Sequence, residues 1–197
     1  MTPYSGIILA GGKSSRLGVD KAFLKIGSKP IVVRAMEAMV GLCDEIVISA
    51  NDPEPYTGMP VRVVEDIVPG GGSLVGLYSS LSSLKNEYAF VAACDMPFLS
   101  TVFIKRMMEA AAGYDALVPV YKGYMEPLHA VYSRRCLGAI KKRIDEGQRR
   151  MRSFYGDINI GYLDEDEVKK FSPDGLVFFN INTGDDVEKA KTIAAGG

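Results

Sequence analysis

The residues with the most chemistry to offer lie between Ile7 and Lys21, in the order Ile-Ile-Leu-Ala-Gly-Gly-Lys-Ser-Ser-Arg-Leu-Gly-Val-Asp-Lys. An apolar run ends in paired glycines, and a basic, hydroxyl-bearing loop follows. Backbone N–H groups that no side chain shields can close around phosphate oxygens, while Lys13, Arg16 and Lys21 supply opposing charge. The pattern points to a nucleoside triphosphate. A P-loop would place a glycine at position 7, where this chain has Ile7. The dinucleotide fingerprint G-x-G-x-x-G also fails, because the glycines fall at Gly11, Gly12 and Gly18. An ordinary solvated βα turn is the competing interpretation, and it leaves the basic character unexplained.

Such a loop needs a rigid frame. Runs rich in β-branched residues alternate with helical spacing, which predicts a mostly parallel sheet covered on both faces. Strands are expected over Gly6–Ala10, Glu45–Ala50, Val61–Glu65, Tyr88–Ala93 and Ala116–Val120. Helices are expected over Ile31–Val40, Leu74–Leu84 and Val102–Ala112. Beyond residue 120 the regularity weakens. A turn over Tyr121–Tyr124 leads to a returning strand over Leu128–Tyr132, an amphipathic stretch over Arg134–Glu146 and a strand over Asn159–Leu163. A short strand over Phe178–Asn180 and a helix over Thr183–Ala194 close the chain, with Thr183 and Asp186 spaced as a capping box. No repeat or linker interrupts this order, so one domain is read over 1–197. Its nucleotide half runs to about residue 115 and its acceptor half over about 116–197.

In open α/β sheets, ligands sit at the carboxyl ends of the strands. Four such ends carry glycine, Asn or Asp here: Ala10-Gly11-Gly12, Ala50-Asn51-Asp52, Glu65-Asp66 and Cys94-Asp95-Met96-Pro97. Asp95, fixed after a wholly apolar strand, suits a Mg²⁺ ligand, because Mg²⁺ commonly takes one or two carboxylates plus substrate phosphates; turning the loop before proline is its alternative role. Asp66 reads three ways, as a base-recognising carboxylate, a second metal ligand or a turn residue. The first is physically sound, since guanine offers two adjacent donors that one carboxylate accepts together. Asn51 is by itself equally a turn former.

Leu-Ala-Gly-Gly-x-Ser-x-Arg-Leu-Gly-x-Asp-Lys resembles the signature of the nucleotidyltransferases that activate small phosphorylated compounds, and within them the molybdenum cofactor guanylyltransferase family. Leu17 stands where that family commonly has Met, and Ser73 replaces the usual Pro of its Gly-Pro-Leu-x-Gly segment. Ser73 is a good N-cap, so the helix can still begin there, and Gly70–Gly72 permit close backbone approach to a ligand. Cys-Asp-Met-Pro, Glu126-Pro-Leu-His-Ala-Val-Tyr132 and Asn180-Ile-Asn-Thr183 extend the likeness over nearly the whole chain. The resemblance implies a Rossmann-like three-layer αβα nucleotidyltransferase fold. It implies transfer of GMP from GTP to the terminal phosphate of molybdenum-molybdopterin, with pyrophosphate released and Mg²⁺ as cofactor. Leu9, Ala10, Gly11, Gly12, Lys21, Asn51, Asp66 and Asp95 would bind the nucleotide, with Asp95 on the metal. Lys21 would neutralise phosphates and Arg16 would offset charge as pyrophosphate leaves. Asn180 and Asn182, two apart on an extended segment, would face a pterin, and helix capping competes as the role of Asn182. Proteins that deliver molybdopterin or receive the product are the implied partners.

The alternatives are a related transferase using CTP or a corrinoid or sugar-phosphate acceptor, and a GTP-binding protein without catalysis. His129, the only histidine, is read as structural rather than as a general base. The Gly147-Gln148-Arg149-Arg150 turn reads equally as a contact for acceptor phosphate and as a solvated basic turn.

Composition is that of an ordinary soluble globular protein: 47% hydrophobic, 24% charged and net charge −1 over 197 residues. That balance gives no support to nucleic-acid binding. Three cysteines without Cys-x-x-Cys spacing argue against a structural zinc and for a reducing compartment. No signal-peptide pattern or run of about 20 apolar residues is present, so a cytoplasmic location away from membranes is expected.

Overall fold

The computed structural model describes residues 3–10, 20–68 and 71–196. In chain order the elements are β1 (Tyr4–Leu9), β2 (Lys25–Ile26), β3 (Lys29–Pro30), α1 (Ile31–Met39), β4 (Glu45–Ser49), β5 (Arg62–Val64), α2 (Gly72–Ser83) and β6 (Tyr88–Ala93). They continue with α3 (Thr101–Ala110), β7 (Ala116–Tyr121), β8 (Tyr124–Met125), β9 (His129–Ser133), α4 (Leu137–Asp145), β10 (Ile160–Leu163), α5 (Glu165–Lys169) and α6 (Gly184–Gly196).

The main sheet has the order β10-β7-β9-β6-β1-β4-β5, with β8 paired to β7. β1 is parallel to β4 and β6, β4 to β5, and β10 to β7. β9 runs against both its neighbours, β6 and β7, and β8 runs against β7. Strands buried on both faces must be apolar throughout, and β6 is buried at all six positions. Successive residues serve opposite layers. Ile8, Ile48, Phe90 and Val131 pack with α1, α3 and α5, while Ile7, Val47, Val91 and Ala130 pack with α2 and α4. Each fully buried Ile or Val contributes about 1.5–3 kcal/mol. This is the three-layer αβα arrangement with a mostly parallel sheet. A third, smaller cluster joins Ile26 and Ile31, from the β2–β3 hairpin and the start of α1, to Ile181 and Ala190 beside and within α6.

Two local expectations are corrected. Ser73 is not the N-cap of α2: the helix starts at Gly72, Gly71 precedes it, and no side chain caps it. Gly72 has φ +73°, a left-handed conformation that L side chains rarely adopt, so the turn into α2 depends on glycine there. Phe178–Asn180 is not a strand either. Leu176–Phe178 forms a single 3-10 turn and the chain then runs to α6 outside the sheet, because Phe178 is buried against the α1–α3–α5 layer instead of at a sheet edge. The hairpin β2–β3, helix α5 and the 3-10 stretch Met151–Asp157 are too short or irregular to show a period in sequence.

Candidate active site

Register sets out the site. Leu9 pairs with both Ser49 and Ala93, and Ser49 pairs with Val64, so four strand ends lie in one row. Backbone bonds carry that row one residue further: the N–H of Ala10 donates to the Ser49 carbonyl at 2.8 Å, and that of Cys94 to the Leu9 carbonyl at 3.0 Å. Ala10, Asn51, Asp66 and Asp95 therefore share one edge. The side chain of Leu9 belongs to the core facing α2. Gly11, Gly12, Lys13 and Arg16 lie outside the described residues, as does Gly70.

At one end of the row stands Asp95. Its Oδ2 accepts from Lys21 Nζ at 3.3 Å, and the same nitrogen donates to Asn182 Oδ1 at 2.9 Å. The side chains of Lys21 and Asp95 are only 19% and 22% exposed, so solvent screens this pair weakly. Asp95 Oδ1 is buried with no hydrogen-bond partner among the described residues. A buried carboxylate oxygen left unpaired is costly, and a cation is the group it is suited to receive. No group of three or more His, Cys, Asp or Glu gathers around any point among the described residues. A lone carboxylate suits Mg²⁺, which completes its coordination with phosphates and water, and does not suit zinc.

Several contacts hold this end in place. Asp20 caps the turn that carries Lys21, its Oδ1 accepting from the Ala22 N–H at 3.0 Å. Arg34 on α1 donates from Nε to the Pro97 carbonyl at 2.8 Å and from Nη1 to the Ile26 carbonyl at 3.3 Å. One guanidinium thus ties the Asp95–Pro97 loop to the hairpin behind Lys21. Nothing in the sequence flagged Arg34, although Asp20 beside Lys21 carried the usual Asx-turn signal.

The other end of the row is built differently. Asp66 accepts a hydrogen bond from Ser49, whose Oγ lies 3.5 Å from Oδ1, and the nearby Asn51 amide also favours its ionised form. Burial raises the pKa of this carboxyl, and the two neutral donors oppose that rise. Gly76 of α2 makes the arrangement possible: a Cβ there would lie 2.7 Å from Ser49 Oγ and 3.4 Å from Asp66 Oδ1. Glycine inside a helix was the signal available for that close approach. The carboxylate of Asp66 lies beside Ser49 of β4, two strands from β6, whose end carries Asp95.

The remaining candidates divide. Asn182 joins Lys21 and Asp95, whereas Asn180 donates from Nδ2 to the Phe178 carbonyl at 2.9 Å. His129 is fully buried among the rings of Phe90, Phe103 and Phe178, at centroid distances of 5.0, 5.4 and 5.2 Å. Neither ring nitrogen has a partner among the described residues, and burial lowers the pKa to about 3. It is a neutral structural residue, as its sequence setting implied. Glu126, in the loop entering β9, was not singled out; burial pushes its carboxyl up to about 7. Cys43, Cys94 and Cys136 are free thiols, and burial pushes each up to about 12, so none is a thiolate at neutral pH. No helix among the described residues is long and apolar enough to cross a membrane.

With this geometry in hand, comparison with known proteins is direct. Residues 6–161 match the model of the MobA-like NTP transferase domain. The chain is 38% identical over 199 residues to the molybdenum cofactor guanylyltransferase of Desulfosudis oleivorans, covering 100% of this chain and 98% of that one. It is 33% identical over 187 residues to the enzyme of that name from Syntrophotalea carbinolica, covering 94% and 89%. The crystal structure of molybdopterin-guanine dinucleotide biosynthesis protein A from Archaeoglobus fulgidus superposes with a TM-score of 0.86 at 26% identity, over 98% of this chain and 100% of that one. A 2-C-methyl-D-erythritol 4-phosphate cytidylyltransferase from Thermus thermophilus shares the fold at a TM-score of 0.72 and 16% identity, over 96% and 98%.

Proposed function

The chain belongs to the MobA-like NTP transferase family and is a nucleotidyltransferase, and from that premise we propose that it moves GMP from GTP to the terminal phosphate of molybdenum-molybdopterin. The observation that carries this reading is the Lys21–Asp95–Asn182 cluster, with one Asp95 oxygen buried and without a partner among the described residues, at the same edge as Asp66.

An oxygen of the acceptor phosphate attacks the α-phosphorus, the bond to the leaving pyrophosphate breaks, and a phosphoanhydride joins pterin to GMP. A phosphate monoester has its second pKa near ~6, so the attacking group is largely dianionic at neutral pH and needs no strong base. This accords with a histidine sealed away from the edge. Catalysis then consists of positioning two anions and offsetting their repulsion. Lys21 places its ammonium against the phosphates, and Arg16 offsets charge on departing pyrophosphate. Asp95 would hold Mg²⁺, which when bound would supply positive charge to offset that of the triphosphate. Asp66, polarised by Asn51 and Ser49, accepts the paired donors of guanine. The nucleotide occupies the half up to about residue 115, and the pterin the half that follows, where Asn180 and Asn182 lie.

The test is incubation of the protein with GTP, Mg²⁺ and molybdenum-loaded molybdopterin, followed by mass spectrometry. A molybdopterin guanine dinucleotide, formed with one pyrophosphate per turnover, is the expected product. Pyrophosphate release with CTP in preference to GTP, or nucleotide binding without any product, would overturn the assignment.

A further inference from the structure

Asn182 reaches the catalytic edge from a position 161 residues away from Lys21 in the chain, and one carboxylate does most to fix it there. Asp186 Oδ2 accepts from the N–H of Asn182 at 3.0 Å, from the N–H of Thr183 at 2.9 Å and from Thr183 Oγ1 at 2.9 Å. In return, the N–H of Asp186 donates to Thr183 Oγ1 at 3.3 Å. These donated bonds hold the carboxyl below the usual Asp range. An ordinary capping box has the acidic side chain reach back to the N–H of the cap residue alone. The additional bond to Asn182, one residue before the cap, adds nothing to α6 itself. It fixes the backbone from which the amide springs.

The residue before Asn182 is held as firmly. The N–H of Ile181 donates to the Asp95 carbonyl at 3.0 Å, and its side chain is buried with Ile26, Ile31 and Ala190. Asn182 is thus pinned by Asp95 on one side and Asp186 on the other, and its side-chain oxygen meets the lysine. Lysine only donates, so it is the amide oxygen that must face it.

We infer that Asp186 is a positioning residue for the transfer reaction: it sets Asn182 so that the amide oxygen holds the Lys21 ammonium beside Asp95. The inference rests on the reading of Lys21 and Asp95 as the groups that meet phosphate and metal. A displacement of about 1 Å at such a group lowers turnover by as much as ~10²-fold.

A double-mutant cycle in the full chain tests it, with kcat/KM for pyrophosphate release, Mg²⁺·GTP affinity and thermal midpoint measured on each protein. Asp186→Ala should lower kcat/KM by roughly 10–100-fold, mainly through kcat, as should Asn182→Ala. The double variant should be no slower than Asn182→Ala, while the loss of thermal midpoint from Asp186→Ala persists in both backgrounds. Asp186→Asn retains an acceptor oxygen and should recover most of the turnover. Multiplying effects on kcat/KM, or an Asp186→Ala enzyme that is thermally weakened yet fully active, would leave Asp186 as a cap for α6 and overturn the inference. Lys21→Ala separates the two levels. If it leaves turnover and affinity intact, the reading of the site fails as well; if it abolishes turnover while the cycle is multiplicative, only the role of Asp186 falls.

Discussion

Asp66 and Asp95 are the same residue type at ends of the same sheet, yet their surroundings are opposite. Asp95 faces an ammonium on one oxygen and keeps the other buried without a partner among the described residues. Asp66 faces a hydroxyl and an amide, with its pKa raised by burial. A full positive charge beside a carboxylate organises it for phosphate and metal chemistry, where charge is the quantity to be offset. Neutral donors around a carboxylate orient its lone pairs, as hydrogen-bond recognition of a base requires. The sheet provides equivalent positions, and the neighbours of each carboxylate assign its work.

The comparison gives a ranked set of expectations. Asp95→Ala should remove the metal and lower kcat by more than about a thousandfold, several kcal/mol of lost charge stabilisation. Single-turnover kinetics with GTP would check it, and near-normal rates would break the comparison at its stronger end. Lys21→Ala should follow with a loss of roughly 10²–10³ in kcat, and added salt should restore little of it, because the pair is mostly shielded from solvent. Asp66→Asn should act on KM for GTP instead, raising it by about 10–100-fold with kcat less affected, as expected for a hydrogen-bonded charged group worth about 1.5–3 kcal/mol. If Asp66→Asn lowers kcat as far as Asp95→Ala does, the two carboxylates share one task and the contrast is wrong.

The smallest effect on activity belongs to a group outside the row. His129→Leu should leave kcat/KM unchanged. The fold depresses the pKa of His129 to about 3 from about 6.5 in the unfolded chain, so the unfolded state binds the extra proton between those values. Stability from this group is complete above pH ~6.5 and declines by up to ~1.4 kcal/mol per pH unit below it. Urea titrations at pH 5 and pH 7.5 should show a smaller difference for His129→Leu than for the parent chain.

The parallel half was legible because period and burial coincide there. Short apolar runs such as Tyr88–Ala93, recurring between helical stretches, read as two-sided strands, and the polar residue after each run marks the working edge, which is how Asp66 and Asp95 were found. The hydroxyl and acid of Thr183 and Asp186 also read correctly as a capping box. What escaped was tertiary. Arg34 looks like any exposed helix arginine until the Pro97 and Ile26 carbonyls are brought to it. Ser73 had the right chemistry to cap a helix, but a left-handed Gly72 had already begun it. That Asn182 belongs with Lys21 rather than beside Asn180 depends on the bonds from Ile181 to Asp95 and from Asn182 to Asp186. No local spacing encodes either.

The contact between Lys21 and Asn182 has a consequence for local unfolding. The ammonium at the edge is braced by a segment that follows every strand of the sheet in chain order. Opening of that segment alone leaves the strand pairing intact while releasing the ammonium, so the centre can come apart without the sheet.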